Sequence, residues 1–163
     1  MPDLLVHGMK QQLDLLFSDA AALQSHLRNS SFARDGVIQA EMSRYLCVRV
    51  SGFLDAAVSH ILAMHIDGLS APTVARFASL CLGRLQNLNA EKLTRLLNNF
   101  DPAWADSFSA FLDPKKKDDI DSLVANRNNI AHGRPTTVTY SRVSVFYATA
   151  REVVDYIDGS VPR

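Results

Sequence analysis

The sequence predicts an all-α protein, one bundle of two or three long helices plus shorter ones. Three observations carry this. Apolar residues recur at the three-and-four spacing of a helix along most of the chain. The 7 glycines and 6 prolines punctuate the sequence rather than cluster. No segment alternates as a half-buried strand does; VTYSRVSVF, from Val138, comes nearest, and its flanks favour a helix start.

Taken in order, Leu4, Leu5, Met9, Leu13, Leu16, Phe17, Ala20 and Leu23 predict an N-terminal helix over 1–30, ending near Arg28. Residues 29–34 (NSSFAR) are polar and loop-like. From Val37 to about Ile66 apolar residues occupy nearly every face, which marks a long, central, buried helix. Ser70 with Pro72 in the first turn opens a helix running to about Gln86. Asn89 caps a short helix holding Leu93, Leu96 and Leu97, and Asp101 with Pro102 caps another holding Trp104, Phe108 and Phe111. Asp113 with Pro114 opens a helix over about 114–132, stopped by Gly133. After the loop RPTT a last helix spans about 140–158, closed by Gly159.

With 163 residues the chain, 1–163, is expected to be a single domain with a sizeable core. Its 47% apolar content and zero formal net charge exclude intrinsic disorder. The same neutrality argues against a protein that coats nucleic acid non-specifically, though not against a local basic site. Cys47 and Cys81 are too few for a disulfide framework or a four-ligand zinc site, look like core residues and fit a reducing cytoplasm. The N-terminal MPDLLVHGMK does not resemble a secretory signal, and no run of about 18 uncharged apolar residues is present, so no membrane association is expected.

The chemistry-bearing segment is NRNNIAHG, residues 126–133. Arg127 has no acid three or four positions away, since those places hold Leu123, Val124, Ile130 and Ala131, so its partner lies elsewhere. Asn128 and His132 are four apart on one face, and His132 sits in the last turn, where the helix dipole favours an imidazolium. A guanidinium, an amide and an imidazole at one helix end suit a phosphodiester, as clamp, orienter and proton carrier. The same residues also make an ordinary helix C-terminus, and an Arg-to-His spacing of this kind arises by chance in such a composition. From 122 to 151 the chain has Arg127, Arg134, Arg142 and Arg151 and no Asp or Glu. That leaves a basic zone around His132, unless Arg142 and Arg151 pair with acids on another helix.

On the central helix Glu41, Arg44, Ser51, Gly52, Asp55 and Ser59 form a polar strip on an otherwise apolar cylinder. Asp55 is the natural carboxylate to hold Arg127 or His132; a plain solvent-facing strip is the alternative. His60 and His65, five apart, do not share a face as a zinc pair would. The run of Lys115 to Asp119 suits a solvated first turn. No phosphate-cradling glycine loop, nucleophile elbow or His-Glu-x-x-His motif occurs.

The run Arg127-Asn128-Asn129-Ile130-Ala131-His132-Gly133, ending a helix with one more long helix after it, resembles the HEPN superfamily signature of Arg, four to six residues and His. RVSGFLDAAVSHIL from Arg49, KLTRLLNNFDPAWADSF from Lys92 and DSLVANRNNIAHG from Asp121 make the RiboL-PSP-HEPN branch the most similar, roughly from the central helix to Ile157. The resemblance implies a HEPN-type helical bundle that forms a homodimer, with the Arg and His of both chains lining one cleft. It implies a metal-independent endoribonuclease without cofactor, a toxin of a toxin–antitoxin pair or an antiviral defence effector, leaving a 2′,3′-cyclic phosphate and a 5′-hydroxyl. By position, Arg127, Asn128 and His132 become the catalytic residues, Asp55 and Asn129 their supports, and Arg134 and Arg142 candidate RNA contacts. The implied partners are RNA, a second copy and a cognate antitoxin or defence protein; a non-catalytic module binding a nucleotide or protein is the alternative. Arg134 stands where the nucleotidylated toxins of this branch carry Tyr, so that control does not carry over.

Overall fold

The computed structural model describes residues 4–28 and 34–162. Its elements are α1 (Leu4–Arg28), α2 (Arg34–Leu69), α3 (Pro72–Leu82), α4 (Ala90–Phe100), α5 (Pro102–Phe111), α6 (Pro114–Ala131) and α7 (Tyr140–Ser160). The architecture is all-α, and no strand occurs among the described residues. Most of the expected loop at 29–34 lies outside the described residues, with Arg34 already opening α2.

α2 packs most extensively against α7. Leu46, Val50, Leu54, Ala57, Val58 and Leu62 on α2 and Val143, Phe146, Ala150, Val153 and Val154 on α7 are fully shielded from solvent. Each such large side chain contributes about 1.5–3 kcal/mol by leaving water. Phe53 meets Tyr147 edge-on and His65 Nδ1 lies 2.6 Å from the Pro162 carbonyl oxygen, so the two helices run parallel. α1 runs the other way along α7: Lys10 pairs with Asp155, Asp14 with Arg151, and Phe17 stacks on Tyr147 at 4.8 Å. α6 is likewise antiparallel to α7, as the Lys116–Glu152 and Asp119–Arg142 pairs show.

By length and composition α2 is, among the described helices, the one apolar enough to cross a membrane, with mean hydropathy 1.4. Charged residues such as Arg49, Asp55 and Asp67 interrupt it, so no run of about 18 uncharged apolar residues lies within it. More than half of that window, 56%, is buried inside the bundle, as a core helix requires.

Three local expectations change. α3 ends at Leu82 instead of near Gln86, and Ser70 does not cap it: the cap position is Ala71, with no side-chain bond. Gly83 is the C-cap, Ser59 donates to the Leu82 carbonyl, and further along Asp55 accepts hydrogen bonds from the Asn87 and Leu88 backbone N–H groups, both at 2.9 Å, where Asn87 takes φ 57°. α7 continues through Gly159 to Ser160, carried by buried Val161, whose N–H returns to the Ile157 carbonyl. Cys81 is exposed, whereas Cys47 is buried; burial pushes the Cys47 thiol up to about 12, so it is inert packing.

Candidate functional site

The end of α6 is a Schellman turn built from backbone alone. The Arg134 N–H reaches the Asn129 carbonyl at 2.8 Å and the Gly133 N–H reaches Ile130 at 3.1 Å. Gly133 sits at φ 64°, which glycine adopts without strain. His132 is the C-cap, with φ −97° and ψ 10°, and its N–H bonds the Asn128 carbonyl. The loop beyond folds back, since the Thr136 hydroxyl donates to Asn126 Oδ1 at 2.6 Å. Sequence inspection did not single out that anchor, although the loop's threonines are its visible signal.

On this frame Arg127 and Asn128 are half-buried and His132 is exposed. Arg127 Nη1 donates to Asn128 Oδ1 across a long 3.4 Å contact. Arg127 forms no ion pair among the described residues, so its guanidinium is held in place without being neutralised. Asn129 is half-buried, and the contact described for it is its carbonyl in the turn. None of the three signature side chains lines the bundle's main grooves. Exposed His132 closes α6, with half-buried Arg127 and Asn128 in the turns before it.

Asp55 does not grip Arg127 or His132 directly, which corrects its expected role. Both its oxygens are taken by the backbone of the α3–α4 connection. Burial pushes its carboxyl above the usual 3.8, while the Leu88 and Asn87 N–H groups and the charges of Arg127 and Lys92 pull it down. Asp55 therefore lies within electrostatic reach of Arg127 while serving as the clasp of residues 87–88. A parallel clasp, also missed from sequence, is Asp121 on α6, which accepts from the Ala90 N–H at 2.9 Å and seats α4.

The basic zone is smaller in space than in sequence. Arg142 pairs with Asp119 at 2.9 Å and Asp118 at 3.2 Å, and its guanidinium lies over the Phe146 ring, 4.7 Å from its centroid. Arg142 is therefore a strut between α6 and α7, not a free RNA contact. Arg151 is paired with Asp14. Arg134 is exposed and unpaired by any acid among the described residues. The polar strip on α2 also divides: Glu41 pairs with Arg44, Ser51 is buried with its hydroxyl unsatisfied, and Ser59 donates to the Leu82 carbonyl at the end of α3. Lys115 and Lys116 are engaged by Asp119 and Asp113 rather than simply solvated. Among the described residues no three His, Cys, Asp or Glu side chains gather where they could hold a metal.

No curated protein and no solved structure matches the chain. The model of one family, RiboL-PSP-HEPN, matches residues 13–162, from the middle of α1 to the end of α7, and so takes in Asp55 and the whole α6 terminus. Seven helices among the described residues, the Arg127–His132 signature and a match over most of the sequence lead to one conclusion: the chain belongs to the RiboL-PSP-HEPN family and is a HEPN module.

Proposed function

We propose that this HEPN module is a metal-independent endoribonuclease acting in the cytoplasm as a toxin or antiviral defence effector. The observation that carries the reading is Arg127: a guanidinium that forms no ion pair among the described residues, beside Asn128 and five residues before exposed His132. In this scheme a His132 imidazole removes the proton of the RNA 2′-hydroxyl. The 2′-oxygen then attacks the adjacent phosphorus, the bond to the 5′-oxygen breaks, and an imidazolium returns a proton to that oxygen. The products are a 2′,3′-cyclic phosphate and a 5′-hydroxyl. Arg127 stabilises charge on the phosphorane oxygens and Asn128 orients a non-bridging oxygen. A second copy supplies the facing wall, and a cognate antitoxin or defence partner restrains the activity.

Purified protein is expected to cut RNA in the presence of EDTA. His132→Ala should lower kcat by about 100- to 10,000-fold while helicity stays intact, because the turn at 129–134 is held by backbone bonds. In cells the wild type slows growth, the variant does not, and co-expression of a cognate antitoxin restores growth. Cutting that requires metal, or full activity in the variant, overturns the reading. The pairing of Arg142 and Arg151 with acids favours one rival, a non-catalytic module that binds a nucleotide or protein. Partner binding unaffected by His132→Ala, with no cleavage at high protein concentration, would establish that rival instead.

A further inference from the structure

A second basic feature lies outside the signature. Between the α3–α4 connection and α4 runs a groove of about 350 Å³. Its cations are Arg84, Lys92 and Arg95, and no acidic side chain lines it. Lys92, Arg95, Leu96 and Asn99 lie at helical spacing on one face of α4, and Leu85, Leu88 and Leu96 give the groove an apolar floor. Arg84 and Arg95 are exposed, and none of the three cations forms an ion pair among the described residues. Arg95 also borders the neighbouring groove, which Glu91 and Asp106 line, and forms an ion pair with neither among the described residues. Lys92 reaches back to the Gln86 carbonyl, which fixes the groove's mouth.

The groove is joined to the signature through Asp55, which bonds its wall at Leu88 and feels the charges of both Lys92 and Arg127. Uncompensated arginines over an apolar floor fit alternating phosphates and sugar or base faces, because guanidinium is weakly hydrated and forks onto phosphate oxygens. We infer that the Arg84–Lys92–Arg95 groove is a binding track for the backbone phosphates of single-stranded RNA flanking the linkage cut at Arg127 and His132. The inference rests on the ribonuclease reading for its ligand, yet it concerns binding, not bond cleavage.

The test uses full-length protein and a short labelled single-stranded RNA. Binding is measured to His132→Ala, with and without Arg84→Gln plus Arg95→Gln, over a range of salt. Each lost phosphate contact weakens binding about five-fold at 0.1 M salt, and the pair flattens the slope of log affinity against log salt by about 1.4. Arg76→Gln, which removes one charge from exposed α3, controls for general electrostatics, its effect compared per charge removed. An unchanged slope in the double variant, or the same change from Arg76→Gln, overturns the track. Displacement of RNA by millimolar inorganic phosphate overturns it too, by making the groove a simple anion site. Wild type that cuts RNA while the groove variants keep their KM removes the track and leaves the nuclease. Salt-sensitive RNA binding through these arginines without any cutting in EDTA removes the nuclease and leaves the track.

Discussion

Two aspartates show how differently a carboxylate can be used in one small bundle. Asp55 is half-buried and spends both oxygens on backbone donors, and burial raises its carboxyl. Asp119 is almost wholly shielded, and burial pushes it up as well. There the hydrogen bonds from Lys115 and Thr149 and the charges of Lys115 and Arg142 together outweigh that push and hold it below 3.8. Because the folded value lies below the unfolded one, Asp119 stabilises the fold fully above pH 3.8 and loses that contribution as pH falls through its folded value. Asp55 has the opposite sign: its raised carboxyl favours the fold when protonated, and that contribution fades as pH rises from 3.8 through its folded value. Asp119→Asn is therefore expected to cost about 1.5–3 kcal/mol at neutral pH, the worth of hydrogen bonds to a charged group. Urea unfolding at a series of pH values checks this, since the gap from wild type should close below pH 3.8. A gap that stays constant to the acid end would mean that Asp119 acts through packing alone.

Helix starts were legible because their causes are local. Asn89, Asp101 and Asp113 each accept a backbone N–H within the next three residues, as their types and the following prolines indicated. Thr139 does the same for α7. Helix ends set by distant residues were not legible. The end of α3 at Leu82 meets Ser59 and the connection after it is clasped by Asp55, both far back on α2, and Arg142 finds its acids 23 and 24 residues away across the α6–α7 contact. The site divides in the same way. The spacing of Arg127, Asn128 and His132 is visible within six consecutive residues, whereas the duties of Asp55 and Arg142 depend on which elements meet. The α6 terminus is the element on which the signature depends, and its conformation is set by Gly133. A Cβ there would touch nothing within 4 Å, so Gly133→Ala is penalised by its left-handed φ alone. The expected cost is about 1 kcal/mol, with faster amide exchange at Gly133 and Arg134 and slower RNA cutting than wild type. Unchanged exchange at those two amides would show that the turn does not need its glycine.

Charge in the protein as a whole is neutral by count but not by placement. Acids of α1 and of the first turns of α6 engage Arg142 and Arg151, while Arg127, Arg134, Arg84 and Arg95 form no ion pair among the described residues. Each chain brings one His132, yet the proposed cleavage takes a proton from the 2′-oxygen and gives one to the 5′-oxygen, on opposite sides of the phosphorus. Two chains related by a two-fold axis would present two imidazoles and two guanidinium groups to one linkage, dividing acid from base. The protein should then have a solution mass of twice 18.0 kDa. Subunit exchange between equal amounts of wild type and His132→Ala, at constant total protein, provides the decisive measurement. If both imidazoles are needed, only wild-type pairs cut and the rate falls to about one quarter of the undiluted value. If each chain works alone, it falls to about one half, and the shared cleft is then wrong even if the nuclease is right. A quarter-rate mixture in which helicity and mass are unchanged would place the chemistry on the axis between copies.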